Sequence, residues 1–391
     1  WKEDVWSDKS FDPARYPDPA GMCEEVHRQN AHIMISVWPN ARGGENQKEL
    51  WENNLLLGDG EVYNAFDPKA GEVYWKQLQE GIFRHGFDAW WCDCSEPYET
   101  AWGDSELTDE ERRAVTVRFF KKYIDARKIN AYSLVHSRNV YENQRKTTQS
   151  KRVVNLTRSG YGGQQRYSGV VWSGDITGTW KELRKQVAEA LNFCASGQPY
   201  WSVDIGGFFM TQWSTWFERC SIYDEWYDLG YSELYTRWLQ FACFLPVMRS
   251  HGTHQPREVW RFGEEGGMFY DAIKKFIELR YRLILYNYSL AWRVTSQDYT
   301  PLRLLAFDFP GDARALAVTD QFMSGPALMV CPVLRPMYYE KGSTPLDGTA
   351  KARKVYLPQG SEWFDFWTGA CYAGGQTVIA DAPIEKLPLF V

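Results

Sequence analysis

One pattern constrains this chain more than any other. Over its first 290 residues, short continuous apolar runs that close on a polar or charged residue alternate with longer stretches whose apolar positions recur every three or four. Residues 31–39 (AHIMISVWP), 86–93 (GFDAWWCD), 153–158, 169–172, 199–204 and 244–248 read as strands. Residues 71–85, 109–126 and 179–196 read as helices, the last opened by a capping box of Thr179 and Glu182. Apolar strands that do not alternate, separated by helices, imply a parallel sheet covered on both faces. The fold class expected is therefore α/β, a (β/α)8 TIM barrel, in which the loops after the strands carry the chemistry. Six strands are countable rather than eight. An open six-stranded piece would leave two bare edges, so the first two strands are expected to precede Trp1.

From residue 296 the helical periodicity is lost. Short runs at 302–307, 315–318, 327–333, 354–357 and 377–380, punctuated by Pro, Gly and Asp, predict a smaller antiparallel β domain. The expected division is a partial catalytic barrel over residues 1–295 and a C-terminal β domain over residues 296–391. An aromatic-rich helix at 268–288 bridges them.

Several function classes lose ground at once. With 44 Lys+Arg against 50 Asp+Glu the chain is mildly acidic, which argues against a nucleic-acid partner. No apolar run approaches the roughly 18 residues of a membrane span. GxxxxGK[ST], GxSxG and HExxH are missing, the eight cysteines form no CxxC pair, and the six histidines do not pair at ligand spacing. The spacing argues against a structural metal, and the cysteines read as buried thiols. Oligomeric state is not legible, and a homo-oligomer is compatible with the sequence.

What remains is a set of acids. Asp93 closes WWCD and is followed by Glu96, Asp175 closes VVWSGD, and Asp204 closes YWSVD. Three carboxylates, each just after an aromatic strand, suit one pocket, and two carboxylates across one bond are the machinery of glycoside hydrolysis. Such aspartates also cap helices in any α/β protein, and a single one would be read that way. Arg158 and His251 end two further runs, where they can bind sugar hydroxyls or simply pair with acids. Gly206 and Gly207 permit close approach of backbone to ligand.

These segments resemble glycoside hydrolase family 31, the retaining α-glucosidases and α-xylosidases. The resemblance rests on RYPDP at 15–19, DAWWCDCSEP at 88–97, RSGYGGQQRYSGVVWSGD at 158–175, PYWSVDIGGF at 199–208, RSHG at 249–252, DQFMSGPALMVCPV at 320–333 and WFDFWTG at 363–369. It implies that Asp93 is the nucleophile and Asp175 the general acid and base. It further implies that Arg158, His251, Asp204 and Phe208 line the sugar subsite, with Trp38, Trp91 and Trp172 as aromatic walls, and that no metal or cofactor is expected. Cys94 departs from the family, where an apolar residue such as Met is common after the nucleophile. The family's N-terminal β-sandwich is not among these residues. DAWW and RYPDP look most like members acting on α-xylosides of xyloglucan. The alternatives are an α-glucosidase or α-glucosyltransferase on maltose- or isomaltose-type oligosaccharides, and, from another class, an inactive carbohydrate-binding scaffold.

Overall fold

In a computed structural model, the described residues are 5, 7–58, 60–96, 107–167, 169–210, 228–253 and 256–391. The chain divides into two compact units, Trp1–Val171 and Trp172–Val391.

The first unit is built on strands β1 (Met34–Val37), β2 (Ala89–Cys92), β3 (Asn155–Thr157) and β4 (Gly169–Trp172). They pair in parallel in that order, with Met34 opposite Ala89, Trp90 opposite Asn155, and Asn155 opposite Gly169. Helix α1 (Pro19–Arg28) precedes β1. Helices α2 (Gly44–Glu52) and α3 (Pro68–Gly81) lie between β1 and β2. Helices α4 (Asp109–Phe120) and α5 (Tyr132–Thr147) lie between β2 and β3. The starts of α1 and α3 are written locally. Asp18 and Asp67 cap them by accepting from Gly21 and Lys69 backbone N–H groups, and Pro19 and Pro68 occupy the first turn. The RYPDP motif is therefore a helix start. Tyr74, Trp75 and Leu78 of α3 and Val140 of α5 bury against Trp90 and Cys92 of β2. Between β3 and β4 the described chain makes only the 3-10 turn Gln164–Tyr167.

The second unit opens with α6 (Trp180–Ala195), β5 (Trp201–Ser202) and α7 (Leu229–Ala242). Thr179 caps α6 by accepting from Glu182 N–H. The reciprocal half of the expected box is not made, because the Glu182 carboxylate accepts from Gln186. A complete box caps α4 instead, between Thr108 and Glu111.

The expected strand at 244–248 is not one. Cys243 to Leu245 continue as turns off the end of α7, and Pro246 has no N–H for a ladder. The Arg280 guanidinium takes the carbonyls of Cys243, Leu245 and Pro246. The bridging helix is also two helices, α8 (Met268–Arg282) and α9 (Ile284–Gln297), with a break at Leu283.

Beyond α9 come β6 (Leu302–Leu304), β7 (Phe322–Ser324), β8 (Leu328–Val330), β9 (Ala352–Leu357), β10 (Glu362–Phe364), β11 (Cys371–Ala373), β12 (Gln376–Asp381) and β13 (Leu389–Phe390). One antiparallel sheet runs β13-β8-β7-β6, β9 pairs with β12, and β10 with β11. The expected strand at 315–318 is the 3-10 turn Ala315–Ala317. In WFDFWTG, Asp365 makes the β10–β11 turn by accepting from Trp367 and Thr368 N–H groups, each at 2.9 Å.

Helix α7 carries buried polar residues that answer this domain's backbone. The Glu233 carboxylate accepts from the N–H groups of Met337, Tyr338 and Tyr339. Arg237 donates to the carbonyls of Ala382, Pro383 and Lys386. Burial pushes the Glu233 carboxyl up and the Arg237 guanidinium down to about 10. Cys23, Cys92, Cys194, Cys243 and Cys331 are buried thiols, as expected, whereas Cys371 is exposed and Cys220 lies outside the described residues. Among the described residues no helix is long and apolar enough to cross a membrane.

Candidate active site

In the first unit, three sequence candidates follow the C-terminal ends of three parallel strands: Trp38 after β1, Asp93 after β2 and Arg158 after β3. The β2 ladder runs on into Asp93, whose N–H donates to Val37 O at 3.1 Å. The chain then turns sharply. Cys94 adopts a left-handed φ of 47°, and its N–H donates to Asp93 Oδ1 at 2.7 Å. A non-glycine residue rarely adopts that region, and here it turns the chain directly after Asp93. Trp90 and Trp91 alternate across the strand: Trp90 is buried and donates to Gln144 Oε1, while Trp91 is half-buried.

Arg158 joins these pieces. Its Nη1 lies 3.6 Å from Asp93 Oδ1, its Nε donates to Glu96 Oε1 at 2.7 Å, and its Nη2 lies 3.0 Å from Cys94 Sγ. Ser159 Oγ donates to the other Glu96 oxygen at 2.5 Å. The loop behind Trp38 is clamped in turn. Tyr74 OH donates to Trp38 O at 2.9 Å, and the buried Lys9 ammonium donates to Asn40 O at 3.1 Å. Burial pushes Lys9 down to about 7. Pro97 of the DAWWCDCSEP motif lies outside the described residues.

In the second unit, Trp172 ends β4, and Asp175, Asp204, Phe208 and His251 sit on loops zipped to one another. Gly178 N–H donates to Phe209 O at 2.8 Å and Phe209 N–H to Ile176 O at 3.0 Å, which ties the segment after Asp175 to the segment after Asp204. Asp175 itself is exposed. Gly206 and Gly207 have φ of 83° and 81°. A Cβ on Gly207 would lie 2.3 Å from Gly178 N, so the zipper requires glycine there. The Phe208 and His251 rings stand 5.3 Å apart, and Thr253 N–H donates to Phe208 O at 3.1 Å.

Asp204 is fully buried and ion-paired with Arg249, whose guanidinium also stands 5.4 Å from the centre of the Trp172 ring. Arg257 donates to Gly207 O at 2.7 Å. Burial first, and then the Arg249 and Arg257 guanidiniums, push His251 down to about 3. At neutral pH it is a neutral imidazole, able both to donate to and to accept from a hydroxyl. Sequence reasoning singled out neither Arg249 nor Arg257. Arg249 stands within the RSHG segment, but the partners that give both arginines their roles are distant in sequence.

Two family models cover nearly the whole chain. The "Glycosyl hydrolases family 31 TIM-barrel domain" matches residues 1–290, and the "Glycosyl hydrolase family 31 C-terminal domain" matches residues 298–391. The chain belongs to glycoside hydrolase family 31. The parallel strands are thus those of a (β/α)8 TIM-barrel domain, followed by an antiparallel β domain. Among family 31 proteins it is 37% identical to an α-xylosidase of Saccharolobus solfataricus, over 100% of this chain and 49% of that protein. It is 29% identical to α-xylosidase A of Aspergillus niger, over 98% of this chain and 56% of that protein. The crystal structure of the family 31 α-xylosidase of Xanthomonas citri superposes with a TM-score of 0.85 at 37% identity, covering 100% of this chain and 42% of that one. The chain thus spans about half the length of the curated relatives it matches.

Proposed function

We propose that this protein is a retaining, exo-acting α-glycosidase that releases α-linked xylose from xyloglucan-type oligosaccharides. The observation that carries this reading is the 37% identity, along the whole chain, to an α-xylosidase of the same family. The strand-end aspartates, with their arginine, histidine and tryptophan neighbours, supply the chemistry.

In this reading the Asp93 carboxylate attacks the anomeric carbon while Asp175 gives its proton to the departing glycosidic oxygen. A covalent glycosyl–Asp93 ester results. Asp175, now a carboxylate, takes a proton from water as that water attacks the same carbon, and Asp93 departs with its electron pair. Two inversions retain the α configuration. Arg158 and His251 bind sugar hydroxyls, Asp204 and Phe208 line the same subsite, and Trp38, Trp91 and Trp172 wall the ring. Residues 1–295 make the partial catalytic barrel and 296–391 the C-terminal β domain.

The test is hydrolysis of p-nitrophenyl α-xyloside and α-glucoside side by side, with Asp93→Asn as control. Faster xyloside turnover, abolished in the variant, is expected. Faster glucoside turnover would overturn the xyloside assignment. Cleavage of neither would favour an inactive binding scaffold.

A further inference from the structure

We infer that His27, His32 and Asp88 form a binding site for one divalent transition-metal ion, zinc being the ion this ligand set suits. The three residues are remote in sequence: His27 lies in the last turn of α1, His32 precedes β1, and Asp88 precedes β2. The fold turns both rings onto one oxygen. Asp88 Oδ2 lies 2.8 Å from His27 Nε2 and 3.4 Å from His32 Nδ1, and all three donor atoms lie within 4.8 Å of one another.

These distances are those of a ligand set. A tetrahedral ion holding nitrogen and oxygen at about 2.0–2.1 Å spaces its ligands about 3.3 Å apart. Two edges of the triad already bracket that value. An entering ion would replace the direct His27–Asp88 contact and sit between the three donors. Two imidazoles and a carboxylate are a common zinc set, with water completing the shell. The side chain of His32 is 85% exposed and that of His27 36%, so the ion has a path in.

The carboxylate is oriented from behind. Lys151 Nζ stands 2.8 Å from Asp88 Oδ1, and Ile33 N–H donates to Oδ2 at 2.9 Å. Such partners hold a ligating carboxylate in place, although the ammonium charge also weakens cation binding. Behind His27, Gly86 turns with φ 111°, and a Cβ there would stand 3.8 Å from His27 Cε1.

The position separates this site from the chemistry. Asp88 and Asp93 lie at opposite ends of β2, roughly 16 Å apart at about 3.3 Å per residue. The ion would staple α1, β1 and β2 at the N-terminal end of the sheet and stabilise the fold by mass action without entering catalysis. The inference does not depend on the proposed reaction.

The 391-residue protein is dialysed against Zn2+ in a non-chelating buffer and its retained metal measured, with melting temperature followed in parallel. The wild type is compared with His32→Ala, at an exposed position where folding is not at risk, and with His27→Gln. The wild type is expected to retain one equivalent more than either variant, to bind Zn2+ at least tenfold more tightly, and alone to melt higher with the ion. No retention by the wild type, or equal retention and equal melting shifts in all three proteins, would overturn the inference.

Discussion

Arg158 binds Glu96 more closely than it approaches Asp93. Its Nη2 lies 2.5 Å from Glu96 Oε1, whereas its Nη1 lies 3.6 Å from Asp93 Oδ1. Glu96 therefore fixes where the guanidinium stands beside the proposed nucleophile, and it is a positioning residue. Glu96→Gln removes the charge that holds Arg158 but leaves both carboxylates of the mechanism. We expect kcat/KM to fall about 10- to 100-fold, the size of effect a misplaced active-site group produces. Asp93→Asn should cost far more. Steady-state kinetics of the two variants decide the ranking, and equal losses would count against a positioning role.

Arg249 shares a buried ion pair with Asp204, whose side chain is 0% exposed. Arg249→Met removes this ion-pair partner from a carboxylate that is closed to solvent. Breaking such a pair costs about 3 kcal/mol or more. Asp204→Asn in the same chain should recover part of this loss, because no charge is then left buried. Urea unfolding of the single and double variants measures both quantities. A single-variant loss under about 0.5 kcal/mol would place the pair among those worth little.

Gly207 is the tightest point of the loop zipper in the second unit. Its φ of 81° and the 2.3 Å approach of a would-be Cβ to Gly178 N act together. Gly207→Ala should destabilise by about 2 kcal/mol or more, since the position is strained for any side chain and the neighbour is backbone. Gly342, with φ 74° and open space around it, is the control. Gly342→Ala should cost less, and thermal melts of the two separate crowding from backbone strain.

His136 makes stability depend on pH. It is fully buried with its Nδ1 2.8 Å from Tyr63 OH, and burial, helped by Lys9, pushes it down to about 3. An unfolded histidine titrates near 6.5. Between about pH 6.5 and 3 the unfolded chain binds the proton that the folded chain refuses, so stability is lost as pH falls through that window. The slope is at most about 1.4 kcal/mol per pH unit from this group. His136→Gln should lower stability at pH 7, yet flatten the decline between pH 7 and 4.5. Urea midpoints at the two pH values test this, and an unchanged slope would contradict it.

Much of the fold is legible because each strand carries its own signal. GVVW at 169–172 is a strand over those four residues, and WWC before Asp93 is another. The misread strand at 244–248 shows where local pattern fails. Its apolar run is real, but Arg280, 34 residues beyond Pro246, claims its carbonyls. The break at Leu283 carries no Pro or Gly to announce it. The strand-end position of Asp93 could be read from the chain because it follows a continuous apolar run. The bonds that organise the neighbourhood could not: Arg158 with Glu96, Arg249 with Asp204, and the two histidines on Asp88 each join residues more than 40 positions apart, and only tertiary structure brings them together.

The central claim is that Asp93 forms the covalent bond to the sugar. It is tested most directly by incubating the protein with 5-fluoro-α-xylosyl fluoride, digesting it, and locating the label by mass spectrometry. The expected result is one fluoroxylosyl group on the peptide containing Asp93, and none in Asp93→Asn. A label on another residue, or turnover of α-xylosides by the Asp93→Asn variant at the wild-type rate, would contradict the assignment.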